Sequence, residues 1–355
     1  MFKFKKNFSI GKTQVGVTSK AFIVAEISAN HDQKINKALK LIREAKKAGA
    51  NAIKLQTFKP DSLTIKTNRQ DLRSLKTPWS KYKSRYELFK KASLPWEWHK
   101  KIYNEAKKNK LEIFSSPFDL NAVKFLKKLN SVAYKIASPE ITDTNLINSA
   151  AKTKKPLIIS IGAAKINDIK KVITIAKSNK NSKLILLKCI AEYPADPKDL
   201  NLKTIPYMKK KFKCLVGFSD HTLGIGASIA ATSLGACVIE KHLKLENDNT
   251  SIDSFFSITP SEFKKMVTEI RNAEKSIGKI SFSLGKSQKT ILKTRRSLYA
   301  SKNIKKGERF TNLNIRSVRP SNGLHPEFLK KILKKKSTKN ILKGSPLKLK
   351  YVRFK

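Results

Sequence analysis

Cysteine is nearly absent. The three present, Cys189, Cys214 and Cys237, are odd in number, and none has a CxxC neighbour. Nothing in them suggests a disulfide framework, and each lies in an apolar run, as expected of a reduced, buried thiol in a cytoplasmic protein. Long apolar runs are missing as well, so no segment spans a bilayer and no membrane partner is expected. The basic N-terminus MFKFKKNFSIGKTQVGVTSK lacks a continuous apolar stretch and does not read as a secretory signal. Acidic residues are scarce, 26 against 76 Lys and Arg, which leaves a net charge of +50. A nucleic-acid surface would concentrate that charge, with arginine and aromatics interleaved. Here the excess is mostly lysine, scattered in runs such as KKNK, MKKKFK and LKKKSTKN, in a chain also rich in Asn and Ile. Drift in base composition accounts for it better than a specific nucleic-acid partner. Weak, salt-sensitive adhesion to polyanions follows from the field alone.

What is present is a repeated alternation of β-rich runs and amphipathic helical stretches. The β-rich runs are 21–28, 51–58, 111–118, 133–138, 156–162, 183–190, 214–220 and 237–243. Between them lie stretches such as INKALKLIREAKKAGA and INDIKKVITIAKS, with apolar residues at helical spacing. The last, PSEFKKMVTEIRNAEKSIG, has Pro and Ser at its start and Gly at its end. Eight such units predict an α/β fold, a (β/α)8 TIM barrel. A doubly wound sheet would carry a Gly-rich turn after its first strand, and AEISANHDQ has none. The barrel is assigned to residues 1–281, a linker to 282–293, and a small β-rich domain to 294–355, where short strands and the turn signals KKGE and SNG replace the alternation.

A barrel places chemistry at the C-terminal ends of its strands, and polar residues accumulate there. They include Glu26, Asn30 and His31; Lys54 and Gln56; Ser115, Ser116 and Asp119; Lys135 and Ser138; Ser160; Tyr193; Ser219, Asp220 and His221; Glu240 and His242. Alternation puts Lys54 and Gln56 on one face, and likewise Glu240 and His242. A lysine in an apolar strand costs desolvation unless an anion meets it. Two such lysines with serines nearby point to a phosphate or carboxylate site; pairing with Glu26 or Glu240 is the alternative. His221 and His242 read equally well as core residues and as metal ligands. His99 is expected to be structural and His325 exposed. The connection 59–94 is long enough to carry its own helix or to act as a lid.

The motifs AEISANH, AGANAIKLQTF, FSSPFD, YKIASPEI, GFSDHTLG, GACVIEKH and RSVRPSNGL occur in order from about Phe22 to Pro346. Together they resemble the sialic acid synthase family. ISANH rather than IGxNHNG, with PWEWHKK, SSPFD and DSFFSITPSEFKKMV, is similar to its pseudaminic acid synthase branch. The resemblance implies a TIM barrel followed by an antifreeze-like (SAF) domain, in a domain-swapped homodimer. It implies condensation of phosphoenolpyruvate with the open-chain aldehyde of an N-acylated amino sugar, here 2,4-diacetamido-2,4,6-trideoxy-altrose. An N-acetylneuraminate or legionaminate synthase is the alternative within the family, and a catalytically weakened sugar-binding protein the alternative outside it. It further implies a divalent metal ion (manganese, magnesium or cobalt) held by His221 and His242. Lys54, Ser116, Lys135, Ser138, Ser160 and Ser219 match phosphoenolpyruvate-binding positions. Gln56, Phe118, Tyr193, Asp253 and Arg319 match sugar-binding positions. Glu26 and Glu140 are the carboxylates near the reacting atoms; Glu26 would orient or deprotonate the water, and which carboxylate is acid and which base stays open. The chain departs from the family at Ile161, Ile190 and Ala191, strand-end positions expected to face the ligands.

Overall fold

In the computed structural model, which describes residues 2–73 and 78–354, the chain divides into two compact units, Met1–Gly278 and Lys279–Lys355. The first opens with an antiparallel hairpin, β1 (Asn7–Ile10) and β2 (Thr13–Gly16). Eight parallel strands follow: β3 (Phe22–Glu26), β4 (Ala52–Thr57), β5 (Glu112–Pro117), β6 (Tyr134–Ile136), β7 (Leu157–Ser160), β8 (Leu184–Lys188), β9 (Leu215–Asp220) and β10 (Val238–His242). They close into a barrel in chain order, with β10 pairing back onto β3. Each of the eight β-rich runs holds one of these strands.

Between the strands lie helices whose apolar stripes face the barrel. In Ile35–Lys47 the buried residues are Ala38, Leu39, Leu41, Ile42 and Ala45, a helical repeat. Helix Pro260–Ile277 starts at a capping box: Thr259 Oγ1 accepts the Glu262 N–H, and Glu262 Oε2 accepts the Thr259 N–H at 2.8 Å. It stops at Gly278, whose φ of 51° suits a residue without a side chain.

The strand period of two splits the core. Outward residues such as Ile23, Ile53, Ile113 and Ile159 pack with the helices. Inward residues Phe22, Val24, Phe114, Ile158 and Leu187 fill the lower lumen, and Phe8, Ile10 and Val15 of the hairpin pack into the same cluster. The hairpin thus closes the N-terminal end of the barrel. Sequence reading had given this segment no structure. Its turn is tied down by Glu112, whose Oε1 accepts the Lys12 N–H at 2.7 Å. The lower lumen is therefore solid, and only the C-terminal end is left for polar groups. At Gly217 a Cβ would lie 2.5 Å from the Val238 carbonyl oxygen, so only glycine lets β9 and β10 approach as they do. That contact sets Ser219 and His221 beside Glu240 and His242.

The second unit pairs β11 (Ser297–Ala300) with β12 (Ile315–Val318), and β13 (Lys336–Ser337) with β14 (Val352–Arg353). Leu298, Ile304, Phe310, Ile315, Ile332 and Ile341 form its own small core. The segment expected as a plain linker carries a 3-10 run, Lys286–Thr294.

Candidate active site

Six titratable side chains converge inside the C-terminal end of the barrel. Glu26 ends β3 and is fully buried; its Oε2 meets the Lys54 ammonium, and its Oε1 accepts the Ser28 N–H at 2.7 Å. Lys54, on β4, also lies 3.4 Å from Glu240 Oε1 and reaches Ser116 Oγ at 3.5 Å. Lys135, on β6, pairs with the same Glu240 oxygen at 3.2 Å, and Ser219 Oγ donates to it at 3.0 Å. Both lysines are therefore paired with carboxylates. Two ammonium and two carboxylate groups balance in a place where an unpaired charge would be very costly.

The balance is uneven. Burial pushes the Glu26 carboxyl up to about 7, against the opposing pull of Lys54. Burial would raise Glu240 too, but Lys135 and Lys54 together outweigh it and hold that carboxyl down at about 2. Burial also lowers Lys135, while Glu240 and Glu26 carry Lys54 above its usual value despite burial. Glu140, on the turn after β6, is pushed up to about 6 by burial.

His221 and His242 stand side by side, ring centroids 5.5 Å apart and each 6% exposed. His221 Nδ1 lies 2.7 Å from the Ile190 carbonyl oxygen, which can only accept, so Nδ1 carries the proton. His242 Nδ1 lies 3.2 Å from Ser28 Oγ, whose other contact is the Asp253 carboxylate. Burial holds His221 down at about 4 and His242 well below its usual value, so both imidazoles are neutral at pH 7. Neutral rings anchored through Nδ1, with the Nε2 lone pair available, are the form in which histidine binds a first-row divalent ion; His221 Nε2 lies 3.4 Å from Ser219 Oγ, whose hydrogen goes to Glu240. The two residues fit a metal. Among the described residues no group of three or more His, Cys, Asp or Glu forms a complete ligand set; the remaining positions of a metal held here fall to water and substrate oxygens.

Aromatic rings roof this pair. Tyr193 lies 4.4 Å from His221 and Phe256 4.7 Å from His242, centroid to centroid. Trp79, from the long connection after β4, packs edge-on against Tyr193 at 5.7 Å, and its indole N–H donates to the Ile252 carbonyl at 3.1 Å. The connection carries a helix of its own, Arg85–Ala92. Part of the lid expected there, residues 74–77, lies outside the described residues.

The remaining expected residues fall into three groups. Ser160 is buried on β7 with no hydrogen-bond partner for its hydroxyl among the described residues, as are one oxygen each of Glu240 and Glu140. Ser138 Oγ accepts the Ala163 N–H at 2.6 Å; Gln56 is half-buried opposite Ser116; Phe118 packs edge-on to Phe58 at 5.2 Å. Arg319 is exposed on the second unit.

Several strand-end residues do not belong to the site. Asp220 turns outward to Lys241 at 3.1 Å, both fully buried, and takes the Thr222 and Ser228 hydroxyls. Ser115 turns outward to Thr57, which bridges to His99 Nε2 at 2.8 Å. His31 packs edge-on to Trp98 at 6.3 Å, and its Nδ1 accepts the Gln33 N–H. Asp119 caps helix Leu120–Lys128. The expectation that Ile161 and Ile190 face the ligands is corrected. Ser160 points into the lumen, so Ile161 points out, into the layer between strands and helices, and Ile190 packs against the same layer, offering the site only its carbonyl. Ala191 is exposed. Sequence reading missed Ser28, Trp79 and Phe256 as parts of the site; only the aromatic pair in DSFF and the lone Trp of TPWSKYK hinted at a roof.

The pattern of the NeuB family matches residues 41–281, two thirds of the chain. The chain belongs to the NeuB family. The SAF domain pattern matches residues 295–353, within the second unit. Over 332 residues the chain is 47% identical to a pseudaminic acid synthase of Campylobacter jejuni, covering 93% of this chain and 96% of that one. It is 38% identical over 324 residues to the N,N'-diacetyllegionaminic acid synthase of the same organism, covering 90% of this chain and 97% of that protein. A crystal structure of N-acetylneuraminic acid (sialic acid) synthetase from Leptospira borgpetersenii, in complex with citrate, superposes with a TM-score of 0.72 at 29% identity, over 82% of this chain and 96% of that one.

Proposed function

We propose that this NeuB-family chain is a pseudaminic acid synthase. It joins phosphoenolpyruvate to the open-chain aldehyde of 2,4-diacetamido-2,4,6-trideoxy-altrose and water, and releases pseudaminic acid and phosphate. The observation that supports it most is the convergence of two lysines, two carboxylates and two neutral imidazoles at one end of a barrel that is packed solid below. The likeness to a pseudaminic acid synthase supports the choice of sugar.

Lys54 and Lys135, with Ser116, Ser138, Ser160 and Ser219, bind the phosphate and carboxylate of phosphoenolpyruvate. The unpartnered Ser160 hydroxyl is a donor in reserve for that anion. Gln56, Phe118, Tyr193 and Asp253 line the sugar's place. His221 and His242 would hold a divalent metal ion, which when bound supplies Lewis acidity at the sugar aldehyde. C3 of phosphoenolpyruvate bonds to the aldehyde carbon, whose oxygen gains a proton. Water adds to C2 and loses a proton; the C2–O bond to phosphate then breaks, its electron pair leaving with phosphate, as the C2 hydroxyl gives its proton to the phosphate and becomes the C2 ketone. Glu26, titrating near neutrality, is the carboxyl suited to exchange the first two of these protons. The aromatic roof keeps bulk water from C2, which carries positive charge between carbon–carbon bond formation and the addition of water. The enzyme acts as a homodimer in which Arg319 of one chain completes the partner's site, a planar charged fork suited to a sugar N-acyl oxygen.

Phosphate release from phosphoenolpyruvate, measured across the altro sugar, its legionaminate counterpart and N-acetylmannosamine, tests the proposal. Release with the altro sugar above the others is expected. Preference for another sugar would move the assignment within the family. Sugar binding without release would make the chain a binding protein.

A further inference from the structure

We propose that Ser28 is a positioning residue: its hydroxyl links the Asp253 carboxylate to Nδ1 of His242 and so fixes which nitrogen of that ring faces the site. Ser28 sits just after β3 with φ at +42°. A residue with a side chain rarely adopts that conformation, and glycine would hold it without strain. A serine kept there against its backbone preference points to a use for its hydroxyl. The side chain is 4% exposed, and its surroundings show the use.

Ser28 Oγ is hydrogen-bonded to Asp253 Oδ2, which also takes the Ala29 N–H at 3.2 Å, and lies 3.2 Å from His242 Nδ1. A serine hydroxyl has one hydrogen to give. Asp253 Oδ2 accepts the Ala29 N–H, and as an ionised carboxylate it has only lone pairs to offer, so it accepts the Ser28 hydrogen as well. The lone pairs of Oγ then face His242 Nδ1, and that nitrogen must carry the ring proton. Were Nδ1 unprotonated and the serine hydrogen turned to it, two acceptor oxygens would be pressed together at Asp253. The relay therefore leaves Nε2 of His242 with its lone pair free. The Ser28 backbone N–H meanwhile holds Glu26 Oε1 at 2.7 Å, so one strained residue orients two side chains of the site. His221 reaches the same tautomer through the Ile190 carbonyl, which no substitution removes. The hydroxyl of Ser28 is the removable half of the arrangement.

This rests on the metal-binding reading of His221 and His242 for one of its two readouts only. Ser28→Gly deletes the hydroxyl and keeps the backbone conformation. A role in folding alone predicts a less stable protein with the His242 tautomer unchanged. In the metal-free protein, nitrogen NMR should show His242 as the Nδ1–H tautomer, and a mixture in Ser28→Gly. Manganese affinity, followed by electron paramagnetic resonance, should fall about 10- to 100-fold. A His242 tautomer unchanged in Ser28→Gly would overturn the proposal, as would unchanged manganese affinity. If the parent itself binds no manganese, the metal-binding reading falls, and the tautomer measurement still decides the role of Ser28.

Discussion

Replacing Lys54 by methionine removes one of the site's two buried cations and leaves Glu26 and Glu240 facing Lys135 alone. The structure says which carboxylate yields. Glu240 keeps Lys135 and the Ser219 hydroxyl, whereas Glu26 loses its only ammonium contact. Glu26 should stay protonated in the folded variant well beyond the value of about 7 that it has beside Lys54. Its pKa is raised relative to the unfolded chain, so folding is opposed as pH rises: the unfolded carboxylate ionises above about 4.5 and the buried one does not. In the parent that loss stops growing near pH 7, where the buried carboxyl ionises as well. In Lys54→Met it continues, at about 1.4 kcal/mol for each further pH unit. Urea unfolding of parent and variant at pH 5, 7 and 9 should show a gap that is level at low pH and widens above neutrality. Adding Glu26→Gln should remove the widening without restoring turnover. Loss of the lysine should also cost about 2–4 kcal/mol of transition-state stabilisation, roughly 30- to 1000-fold in rate. A gap independent of pH would refute the charge argument, and unchanged turnover would make the lysine structural.

Three further outcomes are expected. Chelation should abolish phosphate release and manganese restore it, and His242→Ala should stay folded but retain no metal by elemental analysis; full activity in chelator would end the metal reading. Mixed dimers of Lys54→Met and Arg319→Ala chains should regain activity, because one of their two sites holds both residues; inactive mixtures in which native mass spectrometry shows heterodimers would exclude shared sites. Burial holds His31 and His99 down at about 4, below the unfolded value, so their contribution is intact above about pH 6.5 and is lost as pH falls toward 4, at up to about 3 kcal/mol each. The acid limb of the unfolding-midpoint profile should be shallower in His99→Gln.

The barrel was legible because each strand is an apolar run bounded by turns, and because eight of them alternate with amphipathic helices. The hairpin was not. Its apolar residues Phe8, Ile10 and Val15 stand singly among lysines and polar residues, and they are apolar for the sake of a lumen formed by strands far along the chain. Site residues were legible where alternation could be counted along one strand, as for Lys54 with Gln56 and Glu240 with His242. They were misplaced where nearness to a strand end stood in for that count: Asp220 and Ile161 are each one residue from an inward serine and therefore point the other way. Ser28 left no trace in the sequence, since a positive φ at serine has no letter of its own.

The lysines could be read as anion ligands or as partners of buried carboxylates; the structure shows the second, and under the proposed function that pairing prepares the first. A dry lysine needs a counterion to stay charged, and the resting site supplies Glu26 and Glu240. Of these, only Glu26 can give up its role cheaply. Burial raises its carboxyl, so a proton can replace Lys54 when a stronger anion claims the ammonium, whereas Glu240, held down by Lys135 and Lys54, remains ionised. Binding of phosphoenolpyruvate should therefore take up a proton. Above neutrality, where Glu26 beside Lys54 is ionised, uptake should approach about one proton per site. The proton is then in place for the aldehyde oxygen as the carbon–carbon bond forms, and the ionised Glu26 can take another from the attacking water. Calorimetric titration with phosphoenolpyruvate in two buffers of different ionisation enthalpy measures the uptake directly. Glu26→Gln should abolish it while leaving the anion to bind. Binding at pH 8 with no proton exchanged in the parent would mean that Lys54 never leaves Glu26, and the lysine that meets the anion would then be Lys135 alone.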